Sequence, residues 1–124
     1  MGAAHFSVSR ESFLLEETGQ PAIALQAQRP AVLASGDVVY VHGGTFGADL
    51  SIFYRFDGRS WADALNDIGL AVWGFDFPGY GRSERYPAGL ERPAGRIGEA
   101  IAHLRRVVAA VRARNGDRPV CLVA

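Results

Sequence analysis

Residues 37–49 read DVVYVHGGTFGAD: an apolar, β-branched run passes directly into a turn holding His42, Gly43 and Gly44. Chemistry uses such a turn where backbone N–H groups must face a negative charge that develops during reaction. A second stretch has the same build. LAVWGF leads into Asp76-Phe77-Pro78-Gly79-Tyr80-Gly81-Arg82-Ser83, and Asp76 falls at the carboxyl end of a strand, the side on which open α/β sheets bind ligands. Its expected work is to accept hydrogen bonds from the turn that follows, in preference to direct catalysis. Ser83 lacks the flanking glycines of Gly-x-Ser-x-Gly and is a poor nucleophile. Two other glycine chemistries fail on particulars. A P-loop requires a lysine, and the chain has none; GYGRSE lacks the third glycine of a dinucleotide fingerprint. His5 and His103 read as surface or helix-flank residues. Cys121, the single cysteine, lies in an apolar run and reads as a buried thiol.

The elements that position these turns follow from the pattern. Two extended segments, about 8–16 and 22–28, are joined by a turn at Gly19–Pro21. VVYV is apolar without alternation and suits a strand covered on both faces, as in a parallel sheet. GRSWADALNDIG predicts a helix with Ser60 as N-cap, Asp63 three residues on and Gly69 as a stop. Trp61, Ala64, Leu65 and Ile68 would form its apolar face. LAVWGFDF is the next strand. A second helix is predicted from Ala94 to Arg114, with Ile97, Ile101, Leu104, Val108 and Val111 as its stripe. NGDRP closes that helix, and VCLVA begins a further strand. Strands alternating with helices predict an α/β fold with a mostly parallel sheet, flanking helices and right-handed crossovers. A final strand that is apolar on both faces is an aggregation hazard unless something pairs with it.

Composition narrows the function classes. At 124 residues the chain fits one small domain, and 48% hydrophobic with 21% charged residues is ordinary for a globular protein. The formal net charge is zero and the thirteen basic residues, all arginine, are scattered, so no nucleic-acid or membrane partner is expected. The N-terminus does not resemble a secretory signal and no run is long and apolar enough to span a bilayer, which makes the cytoplasm the expected location.

VVYVHGG, a helix near RSWADAL, VWGFDFPGYGRS, a long helix and PVCLVA together resemble the first half of the α/β-hydrolase fold. In that family an apolar strand ends in His-Gly-Gly or a variant, and the next ends in Asp-x-x-Gly-x-Gly-x-Ser. The fifth strand runs into the nucleophile elbow. The resemblance covers roughly residues 5–124 and implies that residues 1–124 form the N-terminal portion of one hydrolase domain.

The resemblance implies cleavage of an ester, thioester or amide bond by a serine-type mechanism, with no cofactor and no metal. One oxyanion donor would follow the nucleophile and the other would come from the loop after the third strand. By that correspondence the Gly44 N–H is the first choice for the second donor and the Thr45 N–H the next. Gly43 belongs to the same loop, and a glycine suits the place if the turn needs positive φ or close approach of substrate. The family's catalytic histidine comes late in the chain, so His42 is expected to orient the loop by hydrogen bonding. The connection TFGADLSIFYRFDGRS is long and aromatic. Phe46 and Phe53 there are expected either to line an acyl or alkyl pocket or to pack beneath the loop. The elbow, acid and catalytic histidine should all follow Ala124, so a second polypeptide, or a further segment, is expected to carry them, with a small molecule as substrate. Two alternatives stay open: an aspartate nucleophile, as in epoxide hydrolases and haloalkane dehalogenases, and a non-catalytic binding member of the fold. Thr45 stands where many of the former have proline.

Overall fold

The computed structural model describes residues 10–87 and 96–124, so His5 and the start of the helix predicted from Ala94 lie outside them. The elements are β1 (Arg10–Leu15), β2 (Ile23–Gln28), β3 (Gly36–Tyr40), α1 (Trp61–Asp67), β4 (Leu70–Phe75), α2 (Ile97–Arg114) and β5 (Val120–Val123). A single 3-10 turn covers Ala48–Leu50. The five strands form one mixed sheet in the order β1-β2-β4-β3-β5. β3 runs parallel to both β4 and β5, while β1, β2 and β4 pair antiparallel. Tyr40 lies opposite Gly74. The turns that follow β3 and β4 therefore leave the same edge of the sheet side by side.

Strand alternation divides the core between two faces. Ile23, Leu25, Ala27, Val39, Trp73 and Phe75 meet Val107 and Val111 of α2 on one face. On the other, Val72 packs with Ala48, Ile52, Phe53 and Ala62. The continuous apolar runs of β3 and β4 thus serve both layers, as their sequence predicts. Gly74 makes room for the Phe53 ring: a Cβ there would overlap Cε2 of that ring and sit 2.9 Å from Cζ.

The predicted apolar face of α1 is corrected. Trp61 and Ile68 are 74% and 68% exposed, and the helix turns Ala62 and, in part, Asp63, Leu65 and Asn66 inward. The reason lies on β2, which presents glutamines to this face. Gln28 Nε2 donates to Asp63 Oδ1 and Asn66 Oδ1 at 2.8 and 2.9 Å, and Asn66 Nδ2 donates to the Gln28 and Leu70 carbonyls. A polar strand face selects a polar helix face. The predicted start of α1 holds in full: Ser60 and Asp63 form a reciprocal capping box.

The stripe on α2 shifts as well. His103, Val107 and Val111 form its buried line with Leu104 and Val108 partly covered, whereas Ile97 and Ile101 are exposed. Cys121 is also corrected, from buried to exposed. β5 is the outermost strand and among the described residues pairs with β3 alone, and its Leu122 and Val123 stay 50% and 38% exposed.

Candidate active site

The site is built where the turn after β3 meets the turn after β4. His42 leaves the end of β3 with its ring buried. Its Nε2 accepts the Phe77 N–H at 2.9 Å, and its Nδ1 lies 2.6 Å from the Gly43 carbonyl oxygen. A backbone amide only donates and a carbonyl only accepts, so these two contacts require the Nδ1–H tautomer. The ring also packs edge-on to Phe77 at 4.9 Å and against Tyr80 at 4.8 Å. Both nitrogens of this histidine are spent on the backbone.

The second turn grips the first at three further points. The Tyr80 hydroxyl donates to the Gly44 carbonyl at 2.9 Å. Asp76 Oδ1 accepts the Ala48 N–H at 2.8 Å, while Oδ2 accepts the Arg82 N–H at 3.0 Å. Arg82 then pairs with Asp49 at 2.9 Å. Asp76 accordingly accepts from its own turn, as expected, and from the opposite one. Ser83 donates its hydroxyl proton to the Asp76 carbonyl and accepts the Ala24 N–H, a wholly structural use that fits its weak candidacy as a nucleophile.

Glycine is demanded here at positions other than the expected pair. A Cβ at Gly47 or Gly81 would overlap the Asp76 carboxylate, and Gly79 and Gly81 adopt φ of +92° and +48°. Gly43 and Gly44 do not have positive φ, which corrects one of the two reasons offered for them. A Cβ at either would meet nothing within 4 Å, because both border open space. Among the described residues, the N–H groups of Gly44 and Thr45 donate to no protein acceptor.

A cleft of roughly 190 Å³ opens beside this turn, with His42, Gly43, Gly44 and Tyr80 on one side and Tyr86 and His103 on another. His103 is 2% exposed, so its reading as a surface residue is overturned. Tyr86 Oη lies 2.9 Å from its Nε2, Glu99 lies 3.6 Å from the same nitrogen, and Arg106 approaches Nδ1 at 3.4 Å. Burial, followed by the positive charge of Arg106, lowers the His103 pKa from the usual imidazole value against the opposing pull of Glu99 and Glu17. Nothing in the spacing of α2 marks His103 apart from its place one turn before Val107.

Of the two loop aromatics, Phe53 is 4% exposed and sits beneath the loop on Gly74, while Phe46 is 55% exposed. Neither lines the cleft. The loop between them and α1 closes through a tight turn, with Asp57 and Gly58 at φ of 54° and 82° and Phe56 and Arg59 exchanging backbone hydrogen bonds. That is the Asp-Gly signature of a type I′ turn.

The chain resembles a cold-adapted esterase from an Arctic intertidal metagenomic library, with TM-score 0.71 and 23% identity over 97% of this chain and 51% of that one. It resembles an alpha-beta serine hydrolase homologue from Coxiella burnetii with TM-score 0.64 and 22% identity, over 90% of this chain and 50% of the other. A third likeness, to a thioesterase domain from the curacin biosynthetic pathway, has TM-score 0.64 and 22% identity and covers 92% of this chain and 36% of that domain. The chain therefore spans about half the length, or less, of these structures. No curated protein matches it. The family description "alpha/beta hydrolase fold" matches residues 37–124, from the first residue after Gly36 to the end of β5 and beyond. On that match, and on the shared fold, the chain belongs to the α/β-hydrolase fold family.

Proposed function

We propose that the chain supplies the N-terminal half of a hydrolase that cleaves an ester, thioester or amide bond by a serine-type mechanism. In this reading the N–H of Gly44, or failing that of Thr45, is one of two oxyanion donors. The observation that carries it is a backbone turn at the carboxyl end of β3 whose N–H groups have no protein acceptor among the described residues and whose glycines border a cleft. Nucleophilic addition to an acyl carbonyl puts negative charge on its oxygen. Donors already aimed at that oxygen stabilise the transition state without reorganising, and losing one of them costs about 3–4 kcal/mol. His42 would keep the loop in register through Gly43 and Phe77.

The nucleophile, the acid and the catalytic histidine lie outside these residues in this reading, on a second polypeptide or a continuing segment. That partner would also pair with the outer edge of β5. The esterase and thioesterase named among the structural neighbours favour acyl-transfer chemistry over the aspartate-nucleophile alternative, as does Thr45 in place of proline. The test combines p-nitrophenyl ester turnover and fluorophosphonate labelling of the assembled enzyme with the sequence that follows the β5 segment. A Gly-x-Ser-x-Gly elbow with labelling at its serine supports the reading. An aspartate at that position supports the epoxide hydrolase or dehalogenase alternative, and neither residue supports a binding role.

A further inference from the structure

We propose that Tyr80 is a positioning residue for the oxyanion turn, holding the peptide plane between Gly44 and Thr45, and with it the Thr45 N–H, through its hydroxyl. This rests on the reading above that the donors of this turn face an oxyanion. The argument starts from the peptide unit. In a planar trans peptide the C=O and the following N–H point in opposite directions, and the described chain has no cis bond. Fixing a carbonyl therefore fixes the direction of the next N–H. His42 Nδ1–H holds the Gly43 carbonyl, which directs the Gly44 N–H away from the imidazole. Tyr80 holds the Gly44 carbonyl, which directs the Thr45 N–H away from the phenol and sets ψ of Gly44. Each of the two candidate donors thus has one aromatic side chain behind it.

Sterics do not perform this service. Neither Gly43 nor Gly44 has a Cβ, and nothing lies within 4 Å of where one would be. Glycine crosses between backbone conformations at little cost, so a flip of either peptide meets little resistance from packing. A flip would also be ruinous, because it replaces a donor with a carbonyl oxygen facing a negative charge. The restraint has to come from hydrogen bonds.

Tyr80 is well placed to give one, since its own position is fixed. Its N–H donates to the Phe77 carbonyl at 2.9 Å, and its ring lies 4.8 Å from His42. Gly79 and Gly81 on either side take the positive φ values that shape the turn. Phenylalanine at position 80 could pack on His42 in the same way. Only the hydroxyl reaches the carbonyl.

The test is Tyr80→Phe in the assembled enzyme. The expected result is a fall of about tenfold in kcat on a p-nitrophenyl ester, smaller than the roughly 100- to 1000-fold loss on removing a donor outright, because the donor is loosened and not lost. KM should change less than twofold, and affinity for a phenylboronic acid, which mimics the tetrahedral state, should fall in parallel with kcat. Unchanged kcat and boronate affinity, or losses that follow only a drop in Tm, would overturn the role of Tyr80 and leave the hydrolase reading standing. Absence of turnover and of fluorophosphonate labelling in the unmodified enzyme would instead remove that reading and this inference with it. Site-specific replacement of Tyr80 by 3,5-difluorotyrosine gives a second arm if Tyr80→Phe fails to fold. This phenol ionises nearer neutrality and then cannot donate. A new descending limb in kcat against pH, with KM flat, is expected; its absence contradicts the proposal.

Discussion

Asp76 joins two turns with one carboxylate: its oxygens accept the Ala48 and Arg82 amides, while its own backbone bonds Ala24 and Ser83. Hydrogen bonds to a buried charge are worth about 1.5–3 kcal/mol each. Asp76→Asn keeps the shape but sets an NH₂ group against one of those amides. It should lower unfolding stability by about 2–3 kcal/mol in urea titration, and a loss below about 0.5 kcal/mol would contradict the structural role. Phe53 makes a different case. With its ring on Gly74 and little exposure, Phe53→Ala should cost about 3–5 kcal/mol of stability. A variant of wild-type stability with altered acyl-chain preference would contradict the burial. At this scale the sequence carries residue types and spacing. It identified the acceptor role of Asp76 because a carboxylate before a glycine-rich turn has amides within reach. It left Phe53 undecided between pocket and core, because that depends on a glycine twenty-one residues later in an adjoining strand.

The elements were legible where their signals are local. Ser60 and Asp63 lie within one turn of each other, so the start of α1 could be read directly, and Ser60→Ala should cost about 1 kcal/mol by thermal or urea unfolding. An unchanged midpoint would argue against the cap. The inward face of α1 could not be read from its own residues, since Gln28 of β2 bonds Asp63 and Asn66 and decides it. The same holds for α2, where the helical period is right but His103 takes a buried place that an apolar stripe gives to Ile101. His103 brings a pH dependence. Unfolded, its imidazole takes up a proton below about pH 6.5; in the fold, where its pKa is lowered, it does so only at lower pH. Between those two values the unfolded chain binds more protons, so stability falls as pH drops through that window and levels off beneath it. Above about pH 6.5 His103 is neutral in both states and adds no slope. His103→Gln should flatten this limb in a series of melting temperatures against pH. An identical slope in both proteins would assign the effect elsewhere.

At the scale of the whole molecule, the sheet order brings two distant turns to one edge. That is how residues 42–45 and 76–83 come to form a single structure. The alternation of strands and helices made the parallel pairing of β3, β4 and β5 legible, and the two turn motifs made the family legible. The interlock between the turns was not, because side-chain hydrogen bonds such as Tyr80 to Gly44 span thirty-six residues and leave no local period. The central claim is that the amides after His42 serve an oxyanion generated by a nucleophile outside these residues. The most direct measurement is a crystal structure of the assembled enzyme inactivated by a p-nitrophenyl phosphonate. The account predicts a phosphonyl oxygen about 2.7–3.1 Å from the Gly44 or Thr45 nitrogen, with phosphorus bonded to a serine beyond Ala124. A phosphonyl oxygen held by other donors, or an adduct on Ser83, would contradict it.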